Sequence, residues 1–190
     1  LQELWGNILA QEVSKPDSIN YLVLNTFSLM SKKHLEAFNA LLPFICNGKL
    51  YCNKDLSAEQ NYSHVSLTVL AELIDLNIIK GLRAEDVLFK KELNQVCKDN
   101  ESFPAIYINK TNFIVLHQNN NAKEIKPYYF LLTTVGQKLF EIALNNYKTE
   151  NYFVNLVNNL KNLPDFSSVE SFELVSFIDN QWKSKLIIQR

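Results

Sequence analysis

Glycine is scarce: there are four in 190 residues, at positions 6, 48, 81 and 136. That spacing excludes a loop whose backbone cradles phosphate. Cysteine is scarce too, and Cys46, Cys52 and Cys97 are an odd number at spacings that suit neither a zinc knuckle nor a redox pair. They read as reduced, partly buried thiols of a cytoplasmic protein. His34, His64 and His117 are the three histidines, and they lack metal-ligand spacing. No apolar run of about 18 residues occurs and no basic stretch leads into one, so neither a membrane span nor a signal peptide is read. Cationic excess is missing as well. Nineteen Lys and Arg face twenty Asp and Glu, a formal charge of -1, unlike the global field of a dedicated nucleic-acid binder. With no nucleophile–base pair, metal cluster or phosphate loop, the expectation is a non-enzyme without cofactor or metal.

Hydrophobic residues, by contrast, make up 47% of the chain and aromatics 12%, the composition of a folded protein with a real core. Leu1, Leu4, Trp5, Ile8 and Leu9 share one helical stripe, extended by Val13. Gly6 and Ala10, four apart, leave room for a neighbouring backbone. A helix already under way at Leu1, with no initiator Met, suggests a piece of a longer protein. After Pro16, Asp17 and Ser18 offer caps for a helix carrying Ile19 to Met30, and Ser31 starts another whose Pro43 kinks it before Asn47 and Gly48 close it.

Lys49 to Cys52 reads as a short strand, followed by two helices, the second with Leu67, Leu70, Leu73, Ile74 and Ile78 on one face. Residues 84–98 have mixed charge and a weak helical period, and read as a helix or ordered loop. "AIYINKTNFIVLHQ" and "IKPYYFLLT" are strand-like, with "NNNAKEIK" as the loop between them. In "LLTTVGQKLFEIALNN" a strand passes into a helix, with Thr134 and Gln137 at capping-box spacing and Gly136 between them. A helix with Tyr152, Phe153, Leu156, Val157 and Leu160 ends before Pro164. A linker over 165–170 then leads to a terminal hairpin that turns near Asp179 and Asn180.

This order predicts a mainly α fold with a small antiparallel β-sheet: a helical bundle (1–48), a winged-helix-like unit (49–148), and a C-terminal helix and β-hairpin (149–190), packed as one unit. In a winged helix the recognition helix meets the major groove and the wing meets phosphate. Here the recognition helix carries Glu72 and Asp75, with Lys80 its one cation. The candidate phosphate or partner contacts are therefore Lys110, Lys123 and Lys126 around the wing, and Arg83 at its base. Tyr107, Phe113 and the aromatics of "PYYF" could form a base-stacking platform, but alternation along the strands favours the core for most of them.

"LQELWGNILAQEVSKPDSIN", "LMSKKHLEAF" and "LLTTVGQKLFEI" resemble a bacterial domain-of-unknown-function family marked by an LQxxWxxILA helix and an LTxxGxxL element. The opening motif is also similar to that of an abortive-infection family. The resemblance implies a phage-defence setting and supplies no catalytic residues. The functional expectation is a non-catalytic interaction, adaptor or sensor domain with a protein partner or self-association. A DNA-binding regulator and an accessory region of a larger enzyme or toxin are the alternatives.

Overall fold

The computed structural model describes residues 6, 10, 12–14, 19–81, 89–118, 124–145 and 147–190. Trp5, Arg83 and Lys123 lie outside them. Residues 6, 10 and 12–14 are helical. Among the described residues no atom lies within 4 Å of a Cβ placed on Gly6, and Ala10 is exposed, so the close neighbour expected beside them is not found.

Helix α1 spans Tyr21–Leu29 and is capped by Asn20, whose side chain accepts the Leu22 N–H at 2.9 Å. The expected caps Asp17 and Ser18 fall outside the described residues. Helix α2, Lys32–Leu41, begins where the Ser31 N–H donates to His34 Nδ1 at 3.0 Å. That bond leaves the proton on Nε2, which faces Glu72 at 2.6 Å. Helix α2 stops at Leu41 because Pro43 cannot continue the ladder, and Leu42–Phe44 form a 3-10 turn. Asn47 and Gly48 do not close a helix. They turn a hairpin between β1 (Ile45–Cys46) and β2 (Lys49–Cys52), with φ of 50° and 71°, the Asn-Gly geometry of a tight turn.

Two further helices follow, α3 (Ala58–Asn61) and α4 (Leu67–Asp75), each capped by a serine, Ser57 and Ser66. Strands β3 (Phe89–Lys90), β4 (Asn94–Lys98), β5 (Glu101–Tyr107), β6 (Asn112–Gln118) and β7 (Tyr128–Leu131) precede α5 (Thr134–Leu144) and α6 (Thr149–Leu160). A long hairpin, β8 (Val169–Ile178) and β9 (Gln181–Gln189), ends the chain, turning at Asp179 and Asn180 as expected.

The strands form two antiparallel sheets, in the orders β1-β2-β7-β3 and β4-β5-β6-β8-β9. The expectation of a mainly α chain with one small sheet is thereby overturned, and the fold is α+β with substantial strand content. Residues 84–98 contain β3 and β4; in β4 Val96 alone is buried, so the apolar alternation that would mark a strand is almost absent. The supposed wing also separates. β6 pairs with β8 of the tail, while β7 pairs with β2 and β3.

One continuous core joins residues from Ile19 to Leu174, with Phe27, Phe38, Leu41, Tyr51, Phe153 and Phe166 among its most enclosed side chains. Helix α6 packs on β8 and β9 and closes the inner face of the larger sheet. The outer face holds a second, smaller cluster of Val96, Ala105, Phe113, Val115 and Val175, with Phe103, Tyr107 and Trp182 over it. No helix of the described residues is long and apolar enough to cross a membrane.

Candidate functional site

The first turn of α5 organises one surface. Its cap is Thr133, one residue before the expected Thr134: the Thr133 hydroxyl accepts the Gly136 N–H at 3.0 Å and donates to the Asn77 carbonyl. The Thr133 N–H donates to the Ile78 carbonyl at 3.0 Å. Thr134 is the first helical residue, and Gln137 donates to the Leu132 carbonyl at 3.3 Å. Gly136 lies so close to the backbone that an added Cβ would stand 2.1 Å from the Ile78 oxygen. This docking sets the start of α5 beside the end of α4 and beside α1. Leu22, Ile74, Ile79 and Val135 thereby line a shallow groove of about 510 Å³ that also takes in Thr134 and Lys80. Leu22 is 56% exposed, and its neighbours on α1, Tyr21 and Leu29, are 76% and 62% exposed.

Helix α4, the presumed recognition helix, shows Leu67, Thr68, Ala71 and Asp75 to solvent, with no cation among them. Glu72 is turned toward α2, where Lys33 Nζ and His34 Nε2 bind its two oxygens at 2.7 and 2.6 Å. The hydrogen bonds from Lys33 and His34 hold the Glu72 carboxyl below its usual range.

A second concavity, a cleft of about 810 Å³, lies where the two sheets meet. It is closed by the Asn47–Gly48 turn, by Ile108 to Lys110 in the β5–β6 turn, by Phe140 and Leu144 of α5, and by Tyr147. Burial pushes the Cys46 thiol up to about 12, so it stays as S–H. In that form it donates to the Tyr107 carbonyl at 3.1 Å, pinning the β5–β6 turn to the small sheet.

A third feature is buried in the outer face of the larger sheet. The Glu173 carboxylate, 3% exposed, receives Lys98 Nζ at 2.6 and 2.7 Å and lies 2.9 Å from His117 Nε2. Burial pushes this carboxyl up, but hydrogen bonds from Lys98, Ser184 and His117 outweigh burial and leave it below its ordinary value. Two strands separate β4 from β8, a gap of roughly 14 Å in a flat sheet. For Lys98 to reach Glu173 the sheet must curl its β4 edge over that face. The Glu173 network was not legible in the sequence, because its members are 56 and 75 residues apart.

Of the four predicted cations, two are described and they do not converge. Lys110 lines the cleft, and among the described residues it has no ion-pair partner. Lys126 is held by Glu124 at 2.5 Å and by Glu92 at 2.7 Å, which push its pKa well up. Cys46 and Cys52 are buried and Cys97 is exposed, all three as free thiols. Among the described residues no three His, Cys, Asp or Glu side chains group as metal ligands would. Tyr107 and Phe113 do share a face, with ring centroids 4.8 Å apart, whereas Tyr128 to Phe130 belong to the other sheet.

Residues 1–158 match the profile of a family described as Protein of unknown function (DUF2806). No curated protein and no solved structure matches the chain.

Proposed function

The chain belongs to the DUF2806 family, and on that premise we propose that it is a non-catalytic interaction domain, of adaptor or sensor type, that receives a protein partner on α1 and the adjoining groove. The observation that carries this reading is the set of apolar side chains that α1 leaves exposed, Tyr21, Leu22 and Leu29, with Leu22 at the rim of a groove whose floor includes the buried Ile79 and Val135. Large apolar side chains left exposed together on one helix mark protein contact sites. A helix laid into such a groove is a common mode of recognition. For a bacterial phage-defence setting, the support is the resemblance of the opening motif.

The DNA-binding alternative draws less support. The outward face of α4 has no cation, and Lys126 is already committed to two carboxylates. Phosphate neutralisation needs free Lys and Arg and weakens steeply with salt. The test is to measure self-association by light scattering and duplex binding by anisotropy, with Leu22→Asp beside the unaltered protein. Concentration-dependent association, or association with a co-encoded protein, that Leu22→Asp weakens by about tenfold supports the interaction reading. Duplex binding at low salt that falls steeply as salt rises overturns it.

A further inference from the structure

We propose that the cleft at the meeting of the two sheets is a binding site for a small amphiphilic anion: one carboxylate, sulfonate or phosphate head on an apolar or aromatic body. The cleft lies apart from the partner groove, and the proposal does not rest on that reading.

Its volume, about 810 Å³, falls within the range of small-molecule sites, which combine an apolar wall with a few placed polar groups. The wall here is built from Ile108, Phe140, Leu144 and Tyr147. The polar end is the β5–β6 turn, and it offers donors. Asn109 Oδ1 is taken up by the Thr111 N–H at 3.0 Å, the Asn112 N–H at 2.9 Å and Asn112 Nδ2 at 3.0 Å. Two of those donors are backbone N–H groups, which fixes that atom as the oxygen and leaves Nδ2 as the free end of the side chain. Lys110 follows directly, a cation with no ion-pair partner among the described residues. The other lysine of the cleft, Lys138, is paired with Glu141 at 3.4 Å. The donor end therefore calls for an anionic group, and the wall calls for an apolar body beside it. A charge-assisted hydrogen bond from Lys110 supplies the strongest polar contact.

The turn is held in place independently of any ligand, by the Cys46 thiol on the Tyr107 carbonyl and by the Asn109 side chain on its own loop. The turn that carries these groups is therefore set before binding, and the Lys110 side chain is what a ligand would have to order.

The test uses the full chain and three probes: anilinonaphthalene sulfonate, its uncharged analogue phenylnaphthylamine, and inorganic phosphate. Fluorescence titration follows the first two and amide chemical-shift mapping follows all three, with circular dichroism confirming that each variant is folded. The expected result is saturable 1:1 binding of the sulfonate, at least about tenfold tighter than either of the other probes, with shifted amides at 108–110 and 140–147. Lys110→Glu and Tyr147→Ala, both at exposed positions, should each weaken it about tenfold. Leu22→Asp in the partner groove should leave it unchanged. Four outcomes overturn the proposal: no saturable binding, binding indifferent to Lys110→Glu, phosphate binding as tightly as the sulfonate, or loss of the probe with Leu22→Asp. Loss of partner association in Leu22→Asp with intact probe binding separates the two readings.

Discussion

Replacing Gly136 with Ala sets two effects of opposite sign against each other. Glycine inside a helix costs about 1 kcal/mol relative to alanine, so propensity alone predicts that Gly136→Ala stabilises the protein. The packing predicts the reverse. The new Cβ would stand 2.1 Å from the Ile78 carbonyl oxygen, more than about 1 Å inside ordinary contact, and the obstacle is backbone that cannot rotate away. Relief requires α5 to back off from residues 77–78, stretching the Thr133 bonds to Asn77 and Ile78. Overpacking costs about 1–3 kcal/mol and a lost threonine cap about 1–2 kcal/mol. Set against the propensity gain, the net expectation is a loss of about 1–4 kcal/mol. For a chain of this size each kcal/mol moves Tm by about 2–4 °C, so thermal melts followed by circular dichroism should show a fall of roughly 2–16 °C. Gly6→Ala is the internal control: that glycine is helical and exposed with nothing within 4 Å, so Ala there should leave Tm unchanged or raise it slightly. A Gly136→Ala protein as heat-stable as the parent would refute the claim that α5 docks on backbone at this point.

The Glu173 network gives a pH-dependent expectation. Its folded pKa lies below the ordinary 4.5, so its contribution is complete above about pH 4.5 and is lost as pH falls through the folded value. Glu173→Gln should cost about 2 kcal/mol at pH 7, because Lys98 loses its counter-charge in a mostly buried setting. Urea titrations should show the gap from the parent closing toward pH 3, and a gap independent of pH would refute the assignment. Tyr152→Phe removes a buried hydroxyl that donates to the Ile45 carbonyl, leaving that oxygen unpaired at a cost of about 1–3 kcal/mol. A midpoint unchanged in urea would show that the bond contributes nothing.

Local features were legible in the sequence where one element decides its own shape. The helices over 21–29, 67–75, 134–144 and 149–160 follow apolar periodicity, and the terminal hairpin follows its Asp179–Asn180 turn. Sheet membership was not legible, because β6 looks as ready to pair with β7 as with β8. What decides is long-range burial: Ile114 and Leu116 on β6 face the same core as Phe172 and Leu174. Strand β4 hid behind its polar residues, Asn94, Gln95 and Lys98, the last of which reads as a surface residue until Glu173 appears beside it. Among the site residues, Lys110 was identifiable as a loop cation, but the cleft around it draws on segments from Asn47 to Thr149. Glu72 looked like a repulsive charge on an exposed helix face. Its binding by Lys33 and His34 depends on a helix contact that no spacing within α4 reveals.

The irregularity between Leu174 and Val175 has a consequence for how the tail tolerates change in length. Ser184 lies opposite Val175 and Leu186 opposite Leu174, so Lys185 is an extra residue without a partner position. On the turn side of it, β9 sends Trp182 to the outer face; beyond it, Leu186 and Ile188 pack against the main core. Side chains alternate every residue along a strand, so a one-residue slip exchanges the two faces. Three residues separate Trp182 from Leu186, and the bulge at Lys185 takes one of them out of the alternation, which is how the two side chains come to lie on opposite faces. Deleting Lys185 would leave Ser184 opposite Val175 and Leu186 opposite Leu174 in unbroken alternation, at the loss of the Lys185 Nζ bond to Asn112 Oδ1, whereas inserting one further residue without a second bulge would turn Leu186 and Ile188 out of the core.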